Sequence, residues 1–223
     1  MKNPNSLEPS FEGGGPILIA TKNPHKAREL AALTANLAAA LALAEWETRH
    51  GRSLSPPQEN GRTLAANALL KARAYAAATG LVSLADDSGL AVPALGGAPG
   101  VYSARFGDRG LDDRGRCLAL LRLLQGRRDR RAFFTTVLAL ARPDGGQLLW
   151  RGRLAGYLTR GLAGAHGFGY DPIFRPRGSA LTLAQMSPAQ KNTLSHRARA
   201  ARAFLADEAR VRAFLQKKQI KLD

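Results

Sequence analysis

The sequence predicts an α/β domain of the mixed α+β kind, in which helices flank one long, twisted, mixed sheet. In the first half of the chain, short apolar runs alternate with segments of helical composition, which is typical of strand and helix units. In the second half, the apolar runs 131–141 and 147–159 flank the turn sequence PDGG and predict an antiparallel hairpin. Because strands of both orientations are expected, the sheet should be mixed.

The length of 223 residues suffices for one large core, and we assign residues 16–223 to a single domain. Residues 1–15 are polar and end in three glycines, so we expect them to be a flexible leader. The sequence has no run of about 18 apolar residues and no apolar signal segment, which predicts a cytoplasmic protein with no membrane partner. Cys117 is the only cysteine, so an intrachain disulfide is excluded and a buried structural role is favoured.

The first strand and helix unit begins at Pro16 with the short apolar run PILIA. A helical segment follows through residues 24–41, with Asn23 at a favourable N-cap position and Pro24 at the first helical position. Residues 64–79 favour a helix through their Ala, Leu and Lys content, and Gly80 should end it. The run LVSLADD, residues 81–87, is then the next strand.

The second half begins with a helical pattern over residues 112–124, ahead of the predicted hairpin. Residues 161–169 are too rich in glycine for a regular element, which is typical of a loop that closely approaches a ligand or another backbone. Ser187 can cap a helix that Pro188 opens. From Ser195 to about residue 216, an Arg- and Ala-rich stretch predicts a long surface helix.

Asp86 and Asp87 close the apolar run 81–85, immediately before a glycine-rich tract. Side chains alternate between the two faces of a strand, so adjacent aspartates should point in different directions and serve two different purposes. The alternative is that they cap a turn, because Asp and Ser beside Gly commonly hydrogen-bond their own backbone where a strand ends.

The formal net charge is +16, from 33 Lys and Arg against 17 Asp and Glu. Such an excess attracts polyanions, which makes a nucleic-acid-binding protein the alternative class to an enzyme. The basic residues are mostly arginines scattered along the chain, and few aromatic residues lie among them to form a stacking surface. We therefore expect no specific nucleic-acid partner, and a nucleic-acid binder would show steep salt dependence without magnesium-dependent turnover.

Four clusters carry candidate chemistry. TKNPHK, residues 21–26, joins a strand to a helix N-terminus, where amide groups and the helix dipole favour a phosphate. ENGRTLAANALLKAR, residues 59–73, places an acid before a helix that carries Asn67 and Lys71. The aspartate pair is the third cluster, and the fourth combines HGFGYDPIF, residues 166–174, with MSPAQKNTLSHRARA, residues 186–200.

Together these clusters closely resemble the inosine and xanthosine triphosphate pyrophosphatase family, which removes deaminated purine nucleotides from the precursor pool. The resemblance spans roughly residues 16–205 and rests on ADDSGL, LGGAPGVYSARF, GFGYDPIF and a lysine followed by SHR, in the family's order. It implies a homodimeric enzyme with an active-site cleft between two lobes. It also implies a Mg²⁺-dependent hydrolysis of ITP, dITP or XTP that yields the monophosphate and pyrophosphate.

The resemblance assigns the proton-accepting, catalytic role to Asp87 and implies metal ligands at Asp87, Asp86 and Glu59. Family members often carry two adjacent glutamates where this chain has Gln58 and Glu59, so either residue is a candidate for the ligand position. The substrate-binding residues implied for the phosphates and the base are Thr21, Lys22, Asn23, Pro24, His25, Lys26, Ser88, Phe168, Gly169, Tyr170, Asp171, Lys191, His196 and Arg197.

Base recognition divides between stacking and hydrogen bonding in this assignment. Phe168 and Tyr170 form apolar walls, Asp171 makes a polar edge contact, and the cationic groups lie on the far side. Hypoxanthine and xanthine carry an acceptor oxygen at purine position 6 where adenine carries a donor amine, so a fixed cationic donor selects against ATP. The nearest enzyme alternative is the related group of pyrophosphatases that act on thymidine and uridine triphosphates, and the SHR and FGYD motifs favour the purine branch.

Overall fold

The computed structural model of the chain describes residues 15–35 and 38–216, which form a seven-stranded mixed sheet flanked by helices. The strands are β1 (Ile17–Ile19), β2 (Ala40–Ala42), β3 (Ser83–Ala91), β4 (Pro99–Gly100), β5 (Arg131–Ala141), β6 (Gln147–Leu158) and β7 (Phe174–Pro176). The helices are α1 (Pro24–Thr34), α2 (Leu43–His50), α3 (Leu64–Thr79), α4 (Asp113–Leu123), α5 (Pro188–Leu194), α6 (His196–Ala206) and α7 (Glu208–Gln216). Four short 3₁₀ helices cover Pro93–Leu95, Ser103–Arg105, Asp171–Ile173 and Leu183–Gln185.

The strand order β2-β1-β3-β5-β6-β7 places β3 at the centre, with β4 paired to the end of β3. The β1 strand pairs parallel with β2 and β3, whereas β5, β6 and β7 pair antiparallel, so the predicted mixed sheet is confirmed. The predicted hairpin is the β5–β6 pair, in register from Arg131 opposite Tyr157 to Ala141 opposite Gln147. No helix within the described residues is long and apolar enough to cross a membrane.

Helices cover both faces of the sheet. Helices α2 and α3 pack on one face, against Leu18, Ala85 and Val137. The other face carries two separate apolar clusters, one built with α1, α6 and α7 around Leu84 and Leu138, and one built with α4 around residues such as Leu90 and Phe134. Buried polar side chains of β3 and β5 lie between these two clusters, and a cleft opens there.

Several local predictions are confirmed residue by residue. The α3 helix spans the predicted residues 64–79, and Gly80 ends it in the left-handed conformation with φ 72°. Asn23 caps α1 by accepting the Lys26 N–H at 3.2 Å, and Ser187 caps α5 within a capping box. Cys117 is fully buried, as its apolar helical surroundings indicated, and burial raises the pKa of its thiol to about 12.

Two helix predictions need correction. The first helix ends at Thr34 instead of continuing to residue 41, because residues 40–42 pair with β1 and α2 starts at Leu43. Alanine favours a helix locally, but pairing with a buried strand overrides this preference. The predicted leader, residues 1–15, lies outside the described residues apart from Gly15.

The predicted long surface helix 195–216 is two helices, α6 and α7, which meet at Asp207. The α6 helix is not on the surface, since six of its eleven residues are buried against the hairpin. Gly152 of β6 permits this close contact, because a Cβ at this position would lie 2.0 Å from the His196 carbonyl oxygen and 2.2 Å from the Ala200 nitrogen.

We expect Gly152→Ala to lower the free energy of unfolding by about 3 kcal/mol, because two backbone segments would have to separate. Gly161→Ala is the matched control, since a Cβ there meets no atom within 4 Å among the described residues. Denaturant unfolding of both variants measures the difference, and equal losses of stability would contradict the close α6–β6 packing.

Candidate functional site

The cleft between the two apolar clusters has a volume of about 490 Å³. It brings together residues that are far apart in the sequence: the start of α1, the central strands β3 and β5, the 3₁₀ helix Ser103–Arg105, the start of α4, and the segment from the 167–171 loop to α6. Its lining consists of Asn23, Lys26, Ser88, Gly89, Ser103, Ala104, Asp113, Arg116, Phe134, Gly167, Phe168, Gly169, Tyr170, Asp171, Lys191, His196 and Arg197. Ten of the predicted substrate-binding residues are in this set.

The turn before α1 forms one end of the cleft. The Thr21 hydroxyl accepts the Asn23 N–H at 3.2 Å, while the Asn23 side chain caps the helix. These contacts fix the first turn of α1, whose positive dipole end favours an anion. Lys26, in the same turn, extends its ammonium group into the cleft. Pro24 occupies the first helical position, as predicted.

Asp86 anchors the cations of the cleft. Its Oδ2 lies 3.0 Å from the Lys26 ammonium and 3.6 Å from Arg197 Nε, and it also accepts the Ser88 hydroxyl at 3.0 Å. Burial would raise the pKa of Asp86, but Lys26, Arg197 and Lys71 together hold it far below its usual value. Asp86 is therefore a buried carboxylate that keeps its charge and positions two cations.

Asp87 points to the other face of β3 and belongs to a second charged group. Lys71 of α3 lies 3.5 Å from Asp87 Oδ1 and 3.0 Å from Glu59 Oε1, so one ammonium group bridges two carboxylates. Both aspartates lie within a strand that continues to Ala91, so the turn-capping alternative is wrong and the prediction of divergent directions is confirmed. The pair nevertheless forms one electrostatic unit, because Lys71 also acts on Asp86 and Lys26 on Asp87.

The segment that carries Glu59 is held by two further contacts. Asn67 of α3 accepts the Gly61 N–H at 2.8 Å, and Arg105 donates to the Glu59 carbonyl oxygen at 3.1 Å. Of the two candidates Gln58 and Glu59, the structure places Glu59 beside Lys71 and Asp87. The group formed by Lys71, Asp87 and Glu59 therefore has its second carboxylate from Glu59, although the preceding residue is the neutral Gln58.

Burial raises the pKa of Asp87, and Glu59 adds to this effect, while Lys71 partly opposes it. Its Oδ2 is buried and has no hydrogen-bond partner within residues 15–35 and 38–216. A carboxylate with a raised pKa and a free oxygen is a stronger base than an ordinary aspartate, which suits proton acceptance near neutral pH.

The opposite end of the cleft is aromatic and cationic. The Lys191 ammonium lies 4.6 Å from the centre of the Phe168 ring, and the Arg197 guanidinium lies 5.5 Å from it. Asp171 holds this arrangement by accepting Lys191 Nζ at 2.7 Å and the Phe168 N–H at 2.9 Å on the same oxygen, Oδ2. Tyr170 contributes its ring to the cleft while its hydroxyl donates to the Ser103 carbonyl oxygen at 2.8 Å.

His196 lies flat against Phe134, with the ring centres 4.5 Å apart and the planes 10° from parallel. Its Nδ1 is buried without a hydrogen-bond partner in the described part of the chain. Burial, reinforced by the nearby Arg197 and Lys191, lowers the pKa of His196 well below its usual value. The ring is therefore neutral at physiological pH and presents a polar nitrogen within an apolar contact.

This neutral histidine makes stability depend on pH. Below about pH 6.5, His196 becomes protonated in the unfolded chain but not in the folded chain, because its pKa is lowered by folding. The free energy of unfolding is therefore unaffected by protonation of this residue above that pH and decreases as the pH falls below it. We expect His196→Phe, which keeps a ring against Phe134, to reduce the loss of unfolding free energy between about pH 7 and pH 5 by roughly 1 kcal/mol. Denaturant unfolding at the two pH values measures this, with the exposed His50→Phe as control. An unchanged pH dependence in His196→Phe would contradict a buried neutral ring.

Other predicted residues lie outside this lining. Lys22 pairs with Glu47 of α2 at 3.3 Å and so is engaged away from the cleft, and the side chain of His25 is outside the described part of the structure. Three charged residues were missed. Glu29 pairs with Arg197 at 2.5 Å, and Asp113 and Arg116 of α4 line the cleft. Each stands among the charges of an ordinary helix pattern, so the sequence carries no local signal for it.

The oxygen atoms around Asp87 are of the kind that Mg²⁺ binds, since this ion prefers carboxylate and phosphate oxygens and keeps several waters. Asp86 Oδ1 and Asp87 Oδ2 are buried and without a hydrogen-bond partner among the described residues, and Glu59 lies close to Asp87 through Lys71. No group of three or more His, Cys, Asp or Glu side chains in residues 15–35 and 38–216 forms a complete metal site. The residues therefore fit an ion that binds through one or two carboxylates and completes its shell with phosphate oxygens and water.

Comparison with known proteins agrees with this arrangement. Residues 17–207 match the model of the Ham1 family. The dITP/XTP pyrophosphatase of Deinococcus deserti is 47% identical over 193 residues, which cover 86% of this chain and 89% of that protein. The corresponding protein of Thermus thermophilus is 45% identical over 195 residues, or 86% of this chain and 91% of its own length.

Solved structures give the same result. The Staphylococcus aureus Ham1 protein superposes with a TM-score of 0.77 at 34% identity, covering 89% of this chain and 99% of its own. A nucleoside-triphosphatase, or dITP/XTP pyrophosphatase, from Mycobacterium abscessus superposes with a TM-score of 0.70 at 40% identity, covering 85% and 98%. Sequence and fold agree over nearly the whole described chain, and the protein belongs to the Ham1 family.

Proposed function

We propose that this protein hydrolyses the deaminated purine nucleoside triphosphates ITP, dITP and XTP to the monophosphate and pyrophosphate, with Mg²⁺ as cofactor. The observation that carries the proposal is the division of one cleft into two chemically different ends. Lys26 and the start of α1 line one end of the cleft, where Lys26 pairs with the Asp86 carboxylate of β3, and this end suits a triphosphate. The Phe168 ring with its two cations lines the other end and suits a base. The names of the relatives at 45–47% identity support this substrate class.

At the phosphate end, each charged residue has a role that follows from its contacts. Lys26 and the positive end of the α1 dipole attract the phosphate oxygens, and Asp86 holds Lys26 in place. Asp87 accepts the proton of the attacking water at Oδ2, which its raised pKa favours. Lys71 keeps Asp87 and Glu59 together despite their like charges. Mg²⁺, bound by Asp87 and Glu59 with support from Asp86, would neutralise the charge that develops on the leaving pyrophosphate.

At the base end, the purine would stack on the Phe168 ring. Lys191 and Arg197 are fixed donors because Asp171 holds one and Glu29 holds the other. A fixed donor rewards an acceptor oxygen at purine position 6 and leaves the amine of adenine facing another donor, which disfavours ATP. The neutral His196 adds a polar ring nitrogen without a third charge. The homodimer and the cytoplasmic location stay predictions from the family resemblance.

Product analysis tests the position of cleavage. With ITP and Mg²⁺, phosphorus NMR should detect pyrophosphate and inosine monophosphate in equal amounts, and chelation of the metal with EDTA should stop the reaction until Mg²⁺ is restored. Formation of inosine diphosphate and inorganic phosphate would contradict cleavage between the α and β phosphates. Full activity in EDTA would contradict the metal requirement.

A further inference from the structure

The N-terminal half of α4 holds both backbone groups of Gly169. The Oδ2 of Asp113 accepts the Gly169 N–H at 2.6 Å, and the Cys117 thiol donates to the Gly169 carbonyl oxygen at 3.3 Å. Gly169 stands between Phe168 and Tyr170, and its φ of 62° lies in the left-handed region that other residues rarely adopt. The loop that carries the stacking ring is thus fastened to a helix more than 45 residues earlier in the chain.

Asp113 is itself fixed in position. Its Oδ1 accepts a hydrogen bond from Arg116, which also donates to the Leu111 carbonyl oxygen at 2.5 Å. Burial would raise the pKa of Asp113, but the Gly169 N–H and Arg116 lower it below its usual value. Asp113 is therefore ionised at neutral pH, and its bond to Gly169 is charge-assisted, which makes it stronger than a neutral one.

Further hydrogen bonds hold the residues beside Gly169. Asp171 accepts the Phe168 N–H at 2.9 Å, and the Tyr170 hydroxyl bonds to Ser103 at 2.8 Å. Phe168 lies between the Asp171 contact on one side and the Asp113 contact on the other. Release of Gly169 would free the backbone immediately beside the stacking ring while leaving the Asp171–Lys191 pair intact.

We propose that Asp113 is a positioning residue for base recognition, which holds the 167–171 loop on α4 so that Phe168 is fixed against the base. The inference rests on the proposed function, and it deepens it by assigning part of the specificity to a helix outside the motifs. Both Asp113 oxygens are used by protein groups, Gly169 on one and Arg116 on the other, so it acts through the loop.

Asp113→Ala should lower kcat/KM for ITP about tenfold through a higher KM, with kcat changed less than about twofold. The ratio of kcat/KM for ITP to kcat/KM for UTP should decrease by a similar factor. The reason is that the variant weakens purine stacking and leaves the phosphate contacts, which both substrates share, unchanged. Asp113→Asn keeps an acceptor oxygen for the Gly169 N–H and should restore most of the ratio.

Asp112→Ala is the matched control, because the adjacent Asp112 caps the same helix by accepting the Gly115 N–H at 2.7 Å, whereas Asp113 holds Gly169. It should lower the thermal midpoint and leave the ITP to UTP ratio unchanged. Amide hydrogen exchange gives a readout that does not depend on activity. Exchange in residues 167–171 should become at least about tenfold faster in Asp113→Ala and stay as in the wild type in Asp112→Ala.

The inference is overturned if Asp113→Ala keeps the wild-type ratio or the wild-type protection of residues 167–171. It is also overturned if Asp112→Ala narrows the ratio equally, since a general weakening of α4 would then suffice. A wild-type enzyme that does not distinguish ITP from UTP would instead contradict the proposed function, while the exchange measurement would still decide whether Asp113 fastens the loop.

Discussion

Asp87→Asn is expected to lower kcat for ITP hydrolysis by about a thousandfold while the protein stays folded. The amide keeps the shape of the carboxylate but neither accepts the water proton nor contributes charge to Mg²⁺. Because the Lys71 ammonium stays paired with Glu59 at 3.0 Å, the substitution leaves no cation without a partner. Steady-state kinetics with ITP, together with thermal unfolding, measure the two effects separately.

Asp129→Asn is the control for the loss of one carboxylate. Asp129 is exposed, lies just before β5 and pairs with Arg131 at 2.8 Å, away from the cleft residues. Its replacement should leave kcat and KM unchanged.

A second effect is expected in Asp87→Asn: the Mg²⁺ concentration that gives half-maximal activity should rise. Turnover of Asp87→Asn within a few-fold of the wild type would remove Asp87 from the mechanism.

Arg197→Ala is expected to lower kcat/KM for ITP by roughly ten- to a hundredfold and to change the slow ATP reaction much less. The arginine is only 2% exposed, and Glu29 and Asp86 fix its guanidinium beside Phe168. In the proposed function, its loss removes a donor to the oxygen at purine position 6, which hypoxanthine has and adenine lacks. The ratio of kcat/KM for ITP to kcat/KM for ATP should therefore decrease, because the value for ITP falls and the value for ATP changes little.

Arg199→Ala is the matched control on the same helix. Arg199 is exposed and donates to the Leu194 carbonyl oxygen at 3.1 Å. It should shift both substrates by the same small factor. Arg197→Ala will also be less stable, since Glu29 and Asp86 each lose a partner, so rates are compared per folded molecule. If the two variants lower ITP and ATP hydrolysis equally, Arg197 contributes general electrostatics and base recognition belongs to Lys191 or His196.

The sequence predicted those elements whose boundaries are marked by local chemistry. Gly80 ends α3 because it adopts a left-handed conformation, and PDGG closes the β5–β6 hairpin because its residues favour a turn. The β2 strand was missed because two of its three residues are alanine, which favours a helix locally, and its strand state depends on pairing with β1. The α2 helix begins directly after this strand, so its start depends on the same pairing. The break between α6 and α7 and the burial of α6 depend likewise on the hairpin that covers them.

The residues of the candidate site also fall into two groups, those that the sequence predicts and those that only the fold reveals. Motifs identified Asp87, Phe168 and Lys191, since each belongs to a compact and distinctive stretch of sequence. Asp113 and Glu29 were missed because their importance comes from a distant partner, Gly169 in one case and Arg197 in the other. A charged residue in a helix has the same local pattern whether it faces solvent or a cleft, so only the fold distinguishes the two.

The proposed function requires this cleft to select deaminated purine triphosphates. This selection is measured by kcat/KM for ITP, XTP, dITP, GTP and ATP in the presence of Mg²⁺, with pyrophosphate release as the readout. We expect ITP, XTP and dITP to exceed ATP by at least about a hundredfold, as a fixed donor at purine position 6 requires. Equal values for ITP and ATP, or a preference for UTP and TTP, would contradict the account.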